Sequence, residues 1–237
     1  MSTPTLPLAL ILASPFLGAL VLGLYGAHSG QTDEAARLRS AGWLAGLFTA
    51  IAAIALGSLA PSILDGQVHR AGVAWLPVFG VQFGLRLDGL ALIFAGLILG
   101  IGLLVVLYAR YYLSPRDRTV WFYVLLLAFM GAMLGVALAD NLILLAMAWE
   151  LTSLTSFLLI GFWNQRRDAR QGARMALTVT GAGGLALMGG LLLLGSIAGS
   201  WQLDEVLSAG PVVRAHPLYP LCLALILLGA VTKSAQF

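Results

Sequence analysis

The sequence predicts an all-α, polytopic transmembrane helix bundle of about seven spans, with a short extracytoplasmic β-hairpin as its one non-helical element. Three observations predict it. Sixty per cent of the residues are apolar and ten per cent charged, with a mean hydropathy of +0.95, too little charge to cover a water-soluble surface. At ~20 residues per span plus loops, a chain of 237 residues holds about seven helices. The basic residues are split among short loops, as a membrane topology signal requires, so the sequence pI of 9.4 does not indicate nucleic acid.

Residues 6–25 form the first span; no Lys or Arg precedes it, so it reads as a retained helix and not a signal peptide. A polar loop over 28–40 with Arg37 and Arg39 leads to the second span, 42–59. Residues 61–88 partly alternate, with glycines at turn positions, and the stretch 73–88 reads as a hairpin at the membrane surface. The third span covers 89–112 and the fourth 120–138. Asp140 and Asn141 make a tight turn into the fifth, where either can cap the helix by accepting from its free N–H groups; a role for Asp140 in ion access is the alternative. The sixth span covers about 173–198. A short surface helix over 203–208 follows, and Pro217 and Pro220 open the seventh span, still under way at Phe237.

Orientation follows from the arginines. Loops 1–2, 3–4 and 5–6 hold Arg37, Arg39, Arg110, Arg116, Arg118, Arg166, Arg167, Arg170 and Arg174, against Arg70, Arg86 and Arg214 in the alternate loops. The excess places the first set in the cytoplasm and the N-terminus outside. Glycines recur within the spans, at Gly96 and Gly100, Gly131 and Gly135, then Gly181, Gly183, Gly184, Gly189 and Gly190. Small residues let helices approach closely in lipid. The run Gly181-Ala-Gly-Gly-Leu-Ala186 superficially matches a dinucleotide fingerprint, but no strand precedes it.

Two ionisable residues stand inside this apolar frame. Glu150 lies in the fifth span, where a central acidic residue costs ~3 kcal/mol and each Leu, Ile or Phe returns ~0.3–0.6. Eleven such residues between Leu142 and Phe162 carry it into the membrane. Lys233 is the only lysine in the chain and lies in the apolar run that begins near Leu218. An ionisable group at such a place is a functional candidate by default. Burial disfavours the charged form of each and an opposite charge nearby favours it, so the two would titrate as a coupled system. A changing distance between them would let the lysine hold and release a proton. A static ion pair holding helices in register is the alternative.

Hydroxyls surround both. Ser153 lies three residues after Glu150 and shares its helix face; Thr152, Thr155 and Ser156 are also on this span. Thr178 and Thr180 lie on the sixth, and Thr232 and Ser234 flank Lys233. Such groups can order a water chain, or each can bond to its own helix backbone. Depth sets a condition: Glu150 lies ~14 Å below the start of its helix and Lys233 ~22 Å below Leu218. They meet only if the seventh helix begins above the hydrocarbon, tilts or is broken. His28, His69 and His216 all fall in loops, and no Cys/His cluster, nucleophile elbow or phosphate loop occurs. Enzyme chemistry, a metal and a cofactor are not expected. The single cysteine, Cys222, reads as a packing residue.

The motifs Leu87-Asp-Gly-Leu-Ala91, Phe129-Met-Gly-Ala-Met-Leu-Gly135, Ala139-Asp-Asn-Leu142, Trp149-Glu-Leu-Thr-Ser153, Phe157-Leu-Leu-Ile160 and Thr232-Lys-Ser-Ala-Gln-Phe237 resemble one family across essentially the whole chain. It is the family of antiporter-like proton-translocating subunits shared by respiratory complex I and the multisubunit Na⁺/H⁺ (Mrp-type) antiporters. The Met-Gly-Ala-Met-Leu-Gly and Trp-Glu-Leu-Thr-Ser versions look most like the large A-type subunit of the antiporter. The resemblance implies that Glu150 is the fifth-helix glutamate and Lys233 the lysine of a broken seventh helix, the functional pair of one half-channel. Complex I relatives often have an arginine and an aspartate where Gly181 and Gly184 stand here, which favours the antiporter branch.

Family members continue beyond the position of Phe237 with the rest of the seventh helix and an inverted repeat, so the sequence is expected to be an N-terminal part. Residues 1–88 would form two transmembrane helices and an extracytoplasmic hairpin, and 89–237 a bundle containing the start of the first antiporter repeat. The expected function is that of one subunit in a monovalent cation/proton antiporter, a transporter component and not an enzyme, in the cell inner membrane. Other membrane subunits, the lipid bilayer, protons and monovalent cations (Na⁺ foremost) are the implied partners. The expected site is Glu150 and Lys233, supported by Ser153, Thr178 and Thr232. A proton-pumping subunit of a complex I-like NADH dehydrogenase or membrane hydrogenase is one alternative; a structural scaffold or inactive truncated fragment is the other.

Overall fold

A computed structural model describes residues 5–28, 34–76, 81–114 and 117–234. The expected hairpin turn at 77–80, Arg116, and the Ala235, Gln236 and Phe237 end of the last motif lie outside the described residues. So do the side chains of Arg37 and its neighbours. The elements run α1 (Thr5–His28), α2 (Glu34–Leu64), β1 (His69–Leu76), β2 (Val81–Leu87), α3 (Gly89–Tyr112), α4 (Thr119–Leu138), α5 (Leu142–Ile160), α6 (Arg167–Ala198), α7 (Leu203–Ser208), α8 (Gly210–Ala215) and α9 (Tyr219–Lys233). Among the described residues six helices, α1 to α6, are long and apolar enough to cross a membrane, and α9 is a shorter apolar helix. The expected all-α bundle with a two-stranded sheet is the fold observed.

Several boundaries move. The polar loop expected over 28–40 is already helical from Glu34, because Glu-Ala-Ala-Arg-Leu-Arg is a run of strong helix formers. The sixth helix likewise begins at Arg167 and not near 173. The loop before α9 holds a second short helix, α8, with proline in its first turn, a place where the missing N–H is not needed.

The chain divides into two compact units, one of residues 1–71 and 86–138, the other of residues 72–85 and 139–237. In the first, α1 packs on α2 and α4, and α2 and α4 both pack on α3. Close approach is set by small residues against large ones: Gly18 faces Phe48 and Leu127, and Gly131 faces Phe16. Tyr123 is buried and donates to the Val106 carbonyl at 3.3 Å, which satisfies its hydroxyl where no solvent competes. Asp88 caps α3 by accepting from the Ala91 N–H at 3.0 Å and pairs with Arg86 at 3.1 Å. Large apolar side chains such as Ile54, Leu90, Ile93 and Leu104 point outward, as lipid-facing residues do.

In the second unit α6 is the central helix, packed on α5 and α9 and touched by α7 and α8. The approach to α5 is tied by backbone. Asp140 N–H donates to the Gly84 carbonyl, Leu142 N–H to the Trp201 carbonyl and Leu203 N–H to the Asp140 carbonyl, at 2.9–3.0 Å. The segment before α5 is thus laced to the hairpin on one side and to the start of α7 on the other. Asn141, only 1 % exposed, supplies the cap: its Oδ1 accepts from Ile143 and Leu144 N–H, while its Nδ2 donates to the Gln82 carbonyl at 2.8 Å. Of the two residues offered by the sequence, Asn141 does the capping. Gly199 ends α6 with φ at +74°, a conformation glycine adopts without strain.

The glycine spacing is only partly realised as helix contact. A Cβ at Gly96, Gly100 or Gly181 would meet no other atom within 4 Å, so these glycines open no close approach among the described residues. The contacts fall at Gly131 of α4, against Phe16 of α1, and at Gly183, Gly184 and Gly190 of α6, against α5 and α9.

Candidate functional site

The α6 glycines build the site. Gly183 and Gly184 are adjacent and about 100° apart around the helix, so they open space in two directions. A Cβ at Gly184 would fall on the carboxylate of Glu150 from α5, and one at Gly183 would fall on Thr232 from α9. Farther along, Gly229 of α9 meets Leu187 and the carbonyl of Gly183, Gly190 meets Leu225 and Ile226, and the Cys222 thiol donates to the Gly190 carbonyl at 3.4 Å. Cys222 is buried and forms no disulfide, and it packs, as the sequence suggested. The consequence is geometrical: two adjacent residues of α6 seat the carboxylate from one helix and the neighbour of the lysine from the other.

Glu150 and Lys233 nevertheless do not form a direct ion pair. Glu150 Oε1 is buried and accepts no hydrogen bond among the described residues. The Lys233 amine instead donates to the Trp149 carbonyl at 2.9 Å, contacts Thr152 Oγ1, and lies 4.7 Å from the centroid of the Trp149 indole. The lysine therefore ends on the helix that carries the glutamate, one residue away from it in sequence. The depth condition is met in part by side-chain direction. A helical Cα–Cβ bond tilts toward the helix N-terminus, so a lysine at the end of α9 reaches back along its helix to the level of Trp149.

The hydroxyls take the plainer of their two roles. Thr152 and Ser153 donate to the Trp149 carbonyl at 2.6 and 3.3 Å, and Thr155 donates to Leu151. Thr178 donates to Arg174, Thr180 to Ala176 and Thr232 to Gly229. Ser153 is buried beside the lysine's acceptor and Thr232 sits in the Gly183 notch, whereas Thr178 is exposed. Sequence reasoning singled out Glu150 and Lys233 but not Trp149 as the lysine's partner. A backbone carbonyl carries no residue-type signal, and the indole beside it reads as ordinary packing. Among the described residues no group of three or more His, Cys, Asp or Glu gathers as a metal cluster would.

Residues 139–237 match the sequence model of the family described as NADH:quinone oxidoreductase/Mrp antiporter, TM, and residues 75–123 match that of NADH-Ubiquinone oxidoreductase (complex I), chain 5 N-terminus. The fold, the paired helix contacts and these matches define a multi-pass membrane chain of the antiporter-like class. The chain belongs to the NADH:quinone oxidoreductase/Mrp antiporter family.

Among its relatives, the A/B component of a probable K⁺/H⁺ antiporter of Rhizobium meliloti is 47 % identical over 97 % of this chain and 22 % of the relative. The A1 component of a Na⁺/H⁺ antiporter of Staphylococcus aureus is 43 % identical over 83 % of this chain and 24 % of the relative. The chain thus spans less than a quarter of the length of these relatives. A polypeptide in the Mrp complex of Dietzia sp. superposes with a TM-score of 0.78 at 36 % identity, over 97 % of this chain and 24 % of that one. An archaeal membrane-bound sulfane sulfur reductase shares the fold at 21 % identity, with a TM-score of 0.73 over 96 % of this chain and 34 % of that one.

Proposed function

We propose that this chain forms part of a monovalent cation/proton antiporter and carries one proton half-channel, with Glu150 and Lys233 as its exchanging groups. The observation that carries the reading is the joint seat on α6: Gly184 makes room for the Glu150 carboxylate and Gly183 for Thr232, beside Lys233. When amine and carboxylate approach, each favours the other's charged form; when they part, that support is lost and a proton can leave or arrive. Ser153 and Thr232 border this junction, and Thr178 on α6 is the further hydroxyl assigned to the path, exposed and donating to the Arg174 carbonyl. A membrane potential supplies ~2.3 kcal/mol per charge per 100 mV, enough to drive such an exchange.

Na⁺ or K⁺ is the exchanged ion, as the names of the two relatives suggest for those proteins. Other membrane subunits complete the assembly. The arginine excess supports an extracytoplasmic N-terminus in the cell inner membrane, with the hairpin outside. Residues 89–237 hold the start of the first antiporter repeat, and the chain acts as a transporter component. A complex I-like proton pump is the second reading, favoured by the shared family description; co-purification of redox subunits in place of small antiporter subunits would select it. In everted vesicles carrying the intact assembly, wild type should exchange Na⁺ or K⁺ for protons and Lys233→Ala should not. Wild-type exchange by Lys233→Ala would remove the translocation role and leave a scaffold.

A further inference from the structure

Lys233 contacts three groups of α5, and none of them belongs to the residue the sequence offers as its partner. Trp149 and Thr152 are three residues apart and share a helix face; Glu150 is turned about 100° from Trp149. The amine meets the Trp149 carbonyl, the Trp149 ring face and the Thr152 hydroxyl. Thr152 is buried and donates its own proton to the same carbonyl at 2.6 Å, which leaves its oxygen lone pairs aimed at the lysine.

We propose that Trp149 and Thr152 form a docking cradle for the Lys233 amine and are positioning residues for its movement to and from Glu150. This deepens the proton half-channel reading and rests on it. An ammonium has three N–H donors. The carbonyl and the hydroxyl engage two, and the third stays free to meet a carboxylate. The indole face attracts the charged form through its ring quadrupole. The hydroxyl serves both protonation states: it accepts from the ammonium and, by rotating, donates to the lone pair of the neutral amine. A carbonyl alone serves only the first. The cradle therefore gives the lysine a defined resting place away from Glu150 whether or not it carries the proton.

Lys233 is the only lysine in the 237 residues, so its reactivity can be followed peptide by peptide. The experiment acylates the intact complex in vesicles with acetic anhydride and measures modification at Lys233, alongside turnover and KM for the exchanged cation. Thr152→Ala should speed acylation about three- to tenfold, as expected for an amine that has lost one hydrogen-bond partner. It should lower turnover at unchanged KM, and Thr152→Ser should restore both. Thr155→Ala is the control, since Thr155 is buried on the same helix but bonds to the Leu151 and Thr152 carbonyls.

Acylation of Thr152→Ala at the wild-type rate, or acceleration by Thr155→Ala to the same extent, would overturn the cradle. Should Thr152→Ala not assemble, Trp149→Leu read by the same acylation rate replaces it with the same expected rise. The labelling comparison does not require transport, so it stands or falls apart from the loss of exchange in Lys233→Ala.

Discussion

Gly184 of α6 and Glu150 of α5 share one volume: the position a Cβ would take at residue 184 is filled by the glutamate's carboxylate. The atoms in the way are the far end of a flexible side chain, so an added methyl would displace the carboxylate and leave the helices where they are. We expect Gly184→Ala to assemble with near wild-type thermal stability but to exchange cations about tenfold more slowly or worse, the equivalent of ~1.4 kcal/mol. Gly189→Ala, whose Cβ meets only a Leu225 methyl at 3.9 Å, should match wild type. Melting in detergent and vesicle exchange measure the two properties separately.

Gly229 poses the opposite case. Its Cβ would meet the Gly183 carbonyl at 2.7 Å and the Leu187 Cα at 3.0 Å, and backbone cannot swing aside. Gly229→Ala should force α9 from α6 and destabilise the fold by about 1–3 kcal/mol, the usual result of overpacking. Thermal melting of the purified assembly checks it: a variant as stable as wild type would contradict the packing described.

Asn141 holds two N–H groups of α5 and one hairpin carbonyl. Loss of a cap of this kind costs roughly 0.5–2 kcal/mol, and burial of the orphaned Gln82 carbonyl adds to it. Asn141→Ala should therefore melt below Asn141→Asp, which keeps the cap but not the bond to Gln82. The order wild type, Asp, Ala in melting temperature is the expected result.

How much of this was legible beforehand depended on where the signal resides. Glu150 and Lys233 stood out because a charge inside an apolar run is costly and so a functional candidate by default, with a static ion pair as the alternative, and the start of α5 was marked by its cap at Asp140-Asn141. The early start of α2 was hidden because Arg37 and Arg39 read as loop charge, although their neighbours favour helix. Spacing could not separate Gly183 and Gly184, which face other helices, from Gly96 and Gly100, which face none of the described residues; only the partner helix distinguishes them. The Trp149 carbonyl was illegible in principle, since every residue has one. The direct acid–amine contact that two buried charges suggest is replaced by a lysine resting one residue away.

Arginine placement makes a further prediction. Single cysteines placed at Arg39 and Arg166 in a Cys222→Ser background should react with an impermeant maleimide only from the cytoplasmic face, and one at Arg70 only from the outside. The reverse pattern would invert the proposed topology.

The central claim is that Glu150 and Lys233 act as one unit, and the most direct measurement is a double-mutant cycle on cation-dependent proton exchange in everted vesicles. Glu150→Gln and Lys233→Ala should each reduce exchange by about tenfold or more, and the double variant should be no worse than the poorer single one, as for residues that work together. Losses that simply multiply, or wild-type exchange in either single variant, would contradict the account.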